Sequence, residues 1–272
     1  MIVLENATKS RRNLEINIDY LEIPKGLVTM IVSRNSGGKS SLLKILCGAL
    51  SLDQGTYSVD SYSLEDYKKN NTVFYMPDSV PVTPHMGVFS STVLFEKVYD
   101  GFNARVFERN LISAGIPTHL KIRELSKGQQ KKYMFELMKL SNSKMLLLDE
   151  PTNGLDEKNK IEFKNMIQTY LLNEENYVVI ASNNVEDIEN ICDHLVYMKN
   201  GKKFFEGSVL ELQDRYKLWT GSKEKIPTEG VVGIRKKRDF VEVLIDTTKN
   251  NSNEVSEIKL HDLLIMLERG TV

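Results

Sequence analysis

The chain has 272 residues, 41% of them hydrophobic, enough to fill one large α/β core and a smaller appendage. Its 36 basic and 37 acidic residues leave a net charge of −1, which argues against nucleic acid as the main partner. Cys47 and Cys192, its 2 cysteines, give no disulfide or zinc pattern, and with no signal peptide and no long apolar run, any membrane role must go through a partner.

Residues 1 to 26 read as alternating short strands closed by the turn Pro24-Lys-Gly26. Leu27 to Val32 is an apolar, β-branched run long enough for a buried strand. It enters Ser33-Arg34-Asn35-Ser36-Gly37-Gly38-Lys39-Ser40, after which Ser41-Leu-Leu-Lys-Ile-Leu starts an amphipathic helix. Strand, glycine-rich loop, Lys-Ser and helix is the order of a phosphate-binding loop. Backbone N–H groups and the helix N-terminus receive the anion, Lys39 reaches the outer phosphates, and the Ser40 hydroxyl ligates Mg²⁺. Asn35, Ser36, Gly37, Gly38, Lys39, Ser40 and Ser41 are therefore the candidate phosphate ligands. Ser33 and Ser36 stand where the usual pattern has glycine. If either position needs a positive φ, its side chain costs about 1–2 kcal/mol.

Residues 51 to 76 hold turns and a further strand, and Thr72-Val-Phe-Tyr-Met-Pro77 is followed by Asp78. A loop with Pro81 and Pro84 then leads into helical periodicity at Val93-Leu94, Val98-Tyr99 and Phe102. The polar turn Leu125-Ser-Lys-Gly-Gln129 opens a helix that runs into the apolar strand Met145 to Leu148, which ends in Asp149 and Glu150. Adjacent carboxylates at the end of a buried strand repel each other unless a cation or a proton-transfer task uses them. On their own they also suit a strand running out into solvent. With a phosphate loop upstream, Asp149 can hold Mg²⁺ through water, and Glu150 can orient and deprotonate an attacking water.

The next apolar strand is Tyr177 to Ala181, followed by Asn183 and an expected helix over Val185 to Cys192. A strand, Leu195 to Met198, precedes the hairpin signal Asn200-Gly201. Residues 208 to 218 look helical. From Thr220 the pattern predicts strands near Gly230 to Ile234 and Phe240 to Ile245, a polar loop Thr247 to Ser256, and a helix Leu260 to Leu267. Arg235-Lys-Lys-Arg238 reads as a basic hairpin turn.

Four segments together resemble ATP-binding-cassette (ABC) ATPases. Ser33 to Ser41 resembles their Walker A loop, Leu125 to Gln129 their signature turn, Met145 to Glu150 their Walker B strand, and Asn153-Gly-Leu-Asp156 their D-loop. The resemblance covers roughly residues 1 to 215. It implies an α/β fold, a P-loop ATPase core of mixed sheet flanked by helices. An antiparallel β subdomain, a helical subdomain over about 79–140 and a small C-terminal α+β appendage complete it. The domains expected are 1–218 for ATP binding and 219–272 for the appendage. Family members dimerise head to tail, so Ser126, Lys127, Gly128, Gln129 and Asp156 are expected to grip the ATP bound by a partner cassette. Transmembrane permease subunits are the other implied partner, taken up by the helical subdomain (Phe89, Leu94 and Phe95 are candidates, or else core residues). That places the chain on the cytosolic face of a membrane, with ATP and Mg²⁺ as ligands.

The chain departs from the family where its own nucleotide would bind. Arg11 stands at the position of the adenine-stacking aromatic; a guanidinium plane can stack, or Arg11 and Arg12 are an exposed basic turn. Asp78 replaces the Q-loop glutamine, either ligating Mg²⁺ more directly or repelling phosphate. Asn183 replaces the switch histidine; it can donate a hydrogen bond to the γ-phosphate but cannot carry a proton. Glu150 is retained. The reading is the ATPase subunit of an ABC transporter of exporter type, slow at its own site, with Glu150 and Asn183 as catalytic residues and Ser40, Asp78 and Asp149 at the metal. The alternative is an ATP-gated regulatory subunit paired with a more active cassette. A cassette acting on DNA or ribosomes is disfavoured by the charge balance.

Overall fold

The computed structural model describes residues 1–11, 14–33, 37–79, 85–249 and 255–269. Two long strands, β1 (Ile2–Arg11) and β2 (Leu14–Ile23), pair antiparallel. β3 (Val28–Ser33) leads through the phosphate loop to helix α1 (Lys39–Leu46). β4 (Gln54–Val59), β5 (Tyr62–Ser63), α2 (Leu64–Asn70) and β6 (Val73–Met76) follow. Three helices come next, α3 (Val88–Val98), α4 (Ala104–Ser113) and α5 (Lys127–Leu140). Then β7 (Met145–Asp149), α6 (Glu157–Tyr170), β8 (Tyr177–Ala181), β9 (His194–Lys199) and β10 (Lys202–Ser208) complete a sheet of 10 strands, in the order β5-β4-β1-β2-β10-β9-β3-β8-β7-β6.

One end of this mixed sheet, β5-β4-β1-β2, is antiparallel and the other, β3-β8-β7-β6, is parallel. β3, β7 and β8 are buried along their whole length, as their unbroken apolar runs require. A single core cluster joins Leu4, Ile16, Ile18 and Leu21 of the antiparallel end, Leu42 and Leu43 of α1, and Leu147 and Val179 of the parallel end. Parallel register sets the functional consequence. Met76 pairs with Leu148, and Leu148 with Ile180, so Asp78, Asp149, Glu150 and Asn183 all emerge at the same end of the sheet, the end at which β3 delivers the phosphate loop.

The helical subdomain has its own aromatic core. Phe95, Phe102, Phe107 and Tyr133 are buried together, with the Phe102 and Phe107 rings 5.3 Å apart and the Phe107 and Tyr133 rings 5.6 Å apart. Phe95 is therefore a core residue, whereas Phe89 and Leu94 are exposed.

Asn200-Gly201 forms the expected hairpin, with φ of 52° and 77°. Only glycine fits there, since a Cβ on Gly201 would stand 1.8 Å from the Glu15 carbonyl oxygen. The Gly201 N–H also donates to the Gly37 carbonyl at 3.2 Å, bracing the phosphate loop from below.

Two compact units result, residues 1–183 with 196–206, and residues 184–195 with 207–272. The second contains α7 (Val209–Arg215), the antiparallel strands β11 (Tyr216–Gly221), β12 (Val231–Lys236) and β13 (Val241–Asp246), and α8 (Leu260–Arg269). This second unit begins before residue 218, since α7 packs on β11 and α8 within it. Two expected elements change. Residues 216–218, read as helix, are strand, since Trp219 completes an apolar cluster with Val241, Val243 and Ile245. The expected helix over 185–192 is a run of turns ending in a 3₁₀ turn at Glu189–Ile191. Its apolar residues Val185, Ile188, Ile191 and Cys192 are nonetheless buried, as the apolar pattern of the segment requires.

Candidate active site

The phosphate loop ends at Gly38, whose φ of 106° lies in a region open to glycine and strained for other residues, and which caps the N-terminus of α1. Lys39 follows and is buried, with its Nζ donating to the Ser33 carbonyl at 3.2 Å, to Ser33 Oγ at 3.3 Å and to Asn183 Oδ1 at 2.6 Å. Burial draws the Lys39 pKa down, while Glu150 and Asp149 push it back up. Ser33 sits in extended strand without a positive φ, so no backbone strain attaches to its replacing glycine; its hydroxyl instead holds the lysine. The side chain of Arg11, and Asn35 and Ser36 entire, lie outside the described residues. Gly37, Ser40 and Ser41 stand with Lys39 at the start of α1.

The carboxylates answer from β7. Burial raises the Asp149 pKa, and a hydrogen bond from the Ser40 hydroxyl pulls it the other way. Thus Ser40 and Asp149, two of the three residues assigned to the metal from sequence, are in contact. Glu150 accepts from the Asn183 backbone N–H at 3.0 Å, from Asn183 Nδ2 at 2.6 Å and from Ser182 Oγ at 3.4 Å. Burial raises its pKa, opposed by the Asn183 N–H and by Lys39. Asn183 therefore bridges the site, with its amide oxygen on Lys39 and its amide nitrogen on Glu150. Glu150 also has a φ of 48°, a conformation worth about 1–2 kcal/mol of strain for an L-residue.

Asp78 is reached from the other side by Lys131 of α5, whose Nζ lies 3.4 Å from Asp78 Oδ1. Sequence reading missed Lys131 and Ser182. The signal for Lys131 was present: Lys131, Met134, Phe135 and Met138 are all buried, so a lysine occupies the apolar stripe of its helix.

The remaining predicted residues form a second patch. Ser126 caps α5 and closes a reciprocal box with Gln129, whose N–H donates to Ser126 Oγ at 3.2 Å while Ser126 N–H donates to Gln129 Oε1 at 2.9 Å. Asp156 caps α6 through Asn159. Gly128 and Gly154 meet closely enough that a Cβ on Gly128 would lie 3.3 Å from the Gly154 carbonyl oxygen. The signature turn and the D-loop are thus in contact. Ser126, Gln129 and Asp156 all spend their side chains on their own helix ends, leaving Lys127 and the α5 N-terminus as the outward features.

Among the described residues no three His, Cys, Asp or Glu side chains converge as a self-sufficient metal cage. Ser40 beside Asp149 fits Mg²⁺ all the same, because that ion is commonly held by one or two carboxylates together with substrate phosphates and water.

The pattern that defines the ABC transporter family matches residues 16–153, spanning both the phosphate loop and the Asp149-Glu150 strand. The chain belongs to the ABC transporter family. It is similar to the ABC transporter ATP-binding protein YtrB of Bacillus subtilis, at 24% identity over 79% of this chain and 75% of that one. The lantibiotic transport ATP-binding protein SrtF of Streptococcus pyogenes is 26% identical over 76% of this chain and 90% of its own length. Among solved structures, the dimeric ABC transporter cassette MJ0796 superposes with a TM-score of 0.65 at 20% identity, over 77% of this chain and 99% of that one. Its fold is that of the P-loop cassette, and as an ABC cassette the protein is an ATPase. Among the described residues no helix is long and apolar enough to cross a membrane.

Proposed function

We propose that this ABC ATPase powers a membrane exporter through head-to-tail dimer closure on ATP, and that it hydrolyses slowly at its own site. The observation that carries the reading is the Asn183 amide joined to Lys39 at one end and Glu150 at the other. Lys39 and the N–H groups of Gly37 to Ser41 bind the phosphates, with Asn35 and Ser36 completing the loop and Arg11 against the base. Ser40 and Asp149, with Asp78 nearby, would hold Mg²⁺, which when bound supplies positive charge for the phosphate oxygens. Glu150 takes the proton from the attacking water. Asn183 donates to the γ-phosphate but has no proton to relay, which is why turnover is slow.

Ser126, Lys127 and Gly128 face the nucleotide of the partner cassette, held in shape by Gln129 and Asp156. Support for a dimer comes from the likeness to MJ0796, which is itself dimeric. Support for a transport role comes from the likeness to SrtF. The C-terminal α+β unit resembles the tails of exporter cassettes, and α3 offers exposed Phe89, Val93, Leu94 and Val98 to a permease. Through that permease the protein works at the cytosolic face of the membrane.

ATP hydrolysis by the purified full chain, measured against protein concentration, tests this. A slow rate that rises with concentration and is abolished in Glu150→Gln is expected. Absence of ATP binding would refute it. One observation favours a second reading, a regulatory cassette that gates on ATP beside a more active partner: Asn183 cannot take up a proton. ATP binding without any Glu150-dependent hydrolysis would select that reading.

A further inference from the structure

Lys131 has no task in the nucleotide site as described, yet its environment is unusual for a lysine. It is 6% exposed, sits in the apolar stripe of α5, and reaches toward the carboxylate edge of the sheet. It pairs with Asp78 at 3.4 Å, and Asp149 and Glu150 act on it electrostatically. Asp78 is itself largely exposed and could turn to water; the buried partner in this pair is the cation. A buried ammonium is costly unless paired, so the three carboxylates are what keep it there.

The charge count makes its role specific. Asp78, Asp149 and Glu150 carry three negative charges at one end of the sheet. Lys39 is occupied by Ser33 and Asn183, and Lys131 supplies the other buried positive charge. A divalent cation at Ser40 and Asp149 would join this set and repel the Lys131 ammonium.

Building on the nucleotide-site reading above, we infer that Lys131 is the resident counter-ion of the metal site. It is a positioning residue that holds Asp78 while no metal is bound, and it sets how much Mg²⁺ the site requires. Lysine and metal compete for the same carboxylate charge, so removing the lysine tightens metal binding, and the effect passes through Asp78.

The test reads metal binding directly. Mg²⁺ is titrated into the full chain at a fixed saturating concentration of a non-hydrolysable ATP analogue, followed by the thermal unfolding midpoint, with Mn²⁺ binding by electron paramagnetic resonance as a second readout. Lys131→Met is expected to lower the half-saturating Mg²⁺ concentration about tenfold, the size of one charge acting at a few ångströms through a partly screened medium. Lys131→Arg, which keeps the charge, is expected to stay within about twofold of the wild type, and adding Asp78→Asn to Lys131→Met is expected to remove most of the gain. Lys131→Gln is made alongside, so that a folding failure of the Met variant leaves a neutral variant to read. Normal nucleotide binding with an unchanged Mg²⁺ requirement in the neutral variants would overturn the inference alone. A wild-type chain whose unfolding does not respond to the nucleotide analogue would overturn the nucleotide site and the inference with it.

Discussion

Asn183 grips Glu150 with two donors, its side-chain Nδ2 at 2.6 Å from Oε1 and its backbone N–H at 3.0 Å from Oε1 and 3.2 Å from Oε2. The double grip fixes the carboxylate at the end of β7, on a residue whose backbone is already held at a φ of 48°. The same amide accepts from Lys39, so anything that draws Lys39 away pulls on the group that holds the Glu150 carboxylate. An amide can make both bonds at once without a change of charge, and it can do nothing with a proton.

A histidine at this position would change that. Asn183→His is expected to raise kcat several-fold and to add a pH inflection near 6.5, the ordinary range of an imidazole, that the wild type lacks. Asn183→Ala, which leaves Glu150 and Lys39 without their bridge, is expected to lower kcat about tenfold or more. Steady-state ATPase profiles from pH 5.5 to 8.5 on all three proteins decide it. An unaltered profile in the histidine variant would show that residue 183 does not face the reacting phosphate.

Under the proposed function, with Glu150 as the base, the acid limb follows its ionisation. Burial raises its pKa above the ordinary glutamate value, and the base works only when ionised. Turnover is therefore expected to fall as pH drops through that raised pKa, at a higher pH than a solvated glutamate would give. Glu150→Gln is expected to cut kcat by about 100-fold or more while retaining ATP binding, and to flatten the acid limb that remains. Equal pH profiles for the two proteins would remove Glu150 from the chemistry.

The pair of adjacent carboxylates also bears on stability without ligands. A carboxyl group whose folded pKa is raised is disfavoured as an anion in the fold. Its penalty is absent below the unfolded value, about 3.9, and fully felt above the folded one. Asp149→Asn is thus expected to raise the unfolding midpoint of the nucleotide-free protein at pH 7.5, each kcal/mol being worth about 2–4 °C in a chain of this size. The gain is expected to vanish as pH falls toward 4. Calorimetry across that range measures it, and a lower midpoint for the variant at pH 7.5 would contradict it.

How much of this was legible in the sequence follows from the physics of each feature. The parallel strands were, because strands buried on both faces leave unbroken apolar runs such as Tyr177 to Ala181. The hairpin at Asn200-Gly201 was, because two successive positive φ values leave few residue choices. The order of Lys39, Asp149 and Asn183 along three such strands was enough to place them at one site. What the chain did not announce depends on long-range pairing. Lys131 lies two positions past the signature turn, and its place on the apolar stripe of α5 does not name its partner, Asp78, which is 53 residues away in sequence. Glu150's backbone conformation, too, is imposed by its link to Ala181 across the sheet, where the Glu150 N–H donates to the Ala181 carbonyl at 2.8 Å. Trp219 was passed over because a strand that begins directly after a helix, with only one large apolar side chain buried, has almost no alternation to read.

The second unit carries its own titratable lock. Asp246, 2% exposed, accepts from Arg215 Nη2 at 2.9 Å and from Thr248 Oγ1 at 2.6 Å and N–H at 3.1 Å. These bonds tie the end of α7 to the end of β13. The Arg215 hydrogen bond, ahead of the rest, pulls the Asp246 pKa from 3.8 down to about 2. A depressed carboxylate contributes stability that is fully present above its unfolded pKa and is lost as pH falls through the folded one, so the window lies between about 4 and about 2. Asp246→Asn keeps the shape and can still accept from Thr248, but it loses the charge that Arg215 pairs with. It is expected to destabilise the second unit by about 1–3 kcal/mol at pH 7, the range for a buried group deprived of a charged partner. Urea unfolding followed through Trp219, the single tryptophan of the chain, reports on this unit. The difference between wild type and variant is expected to shrink steadily as pH drops from 4 toward 2. A difference that stayed constant over that window would mean the aspartate acts through packing and not through its charge.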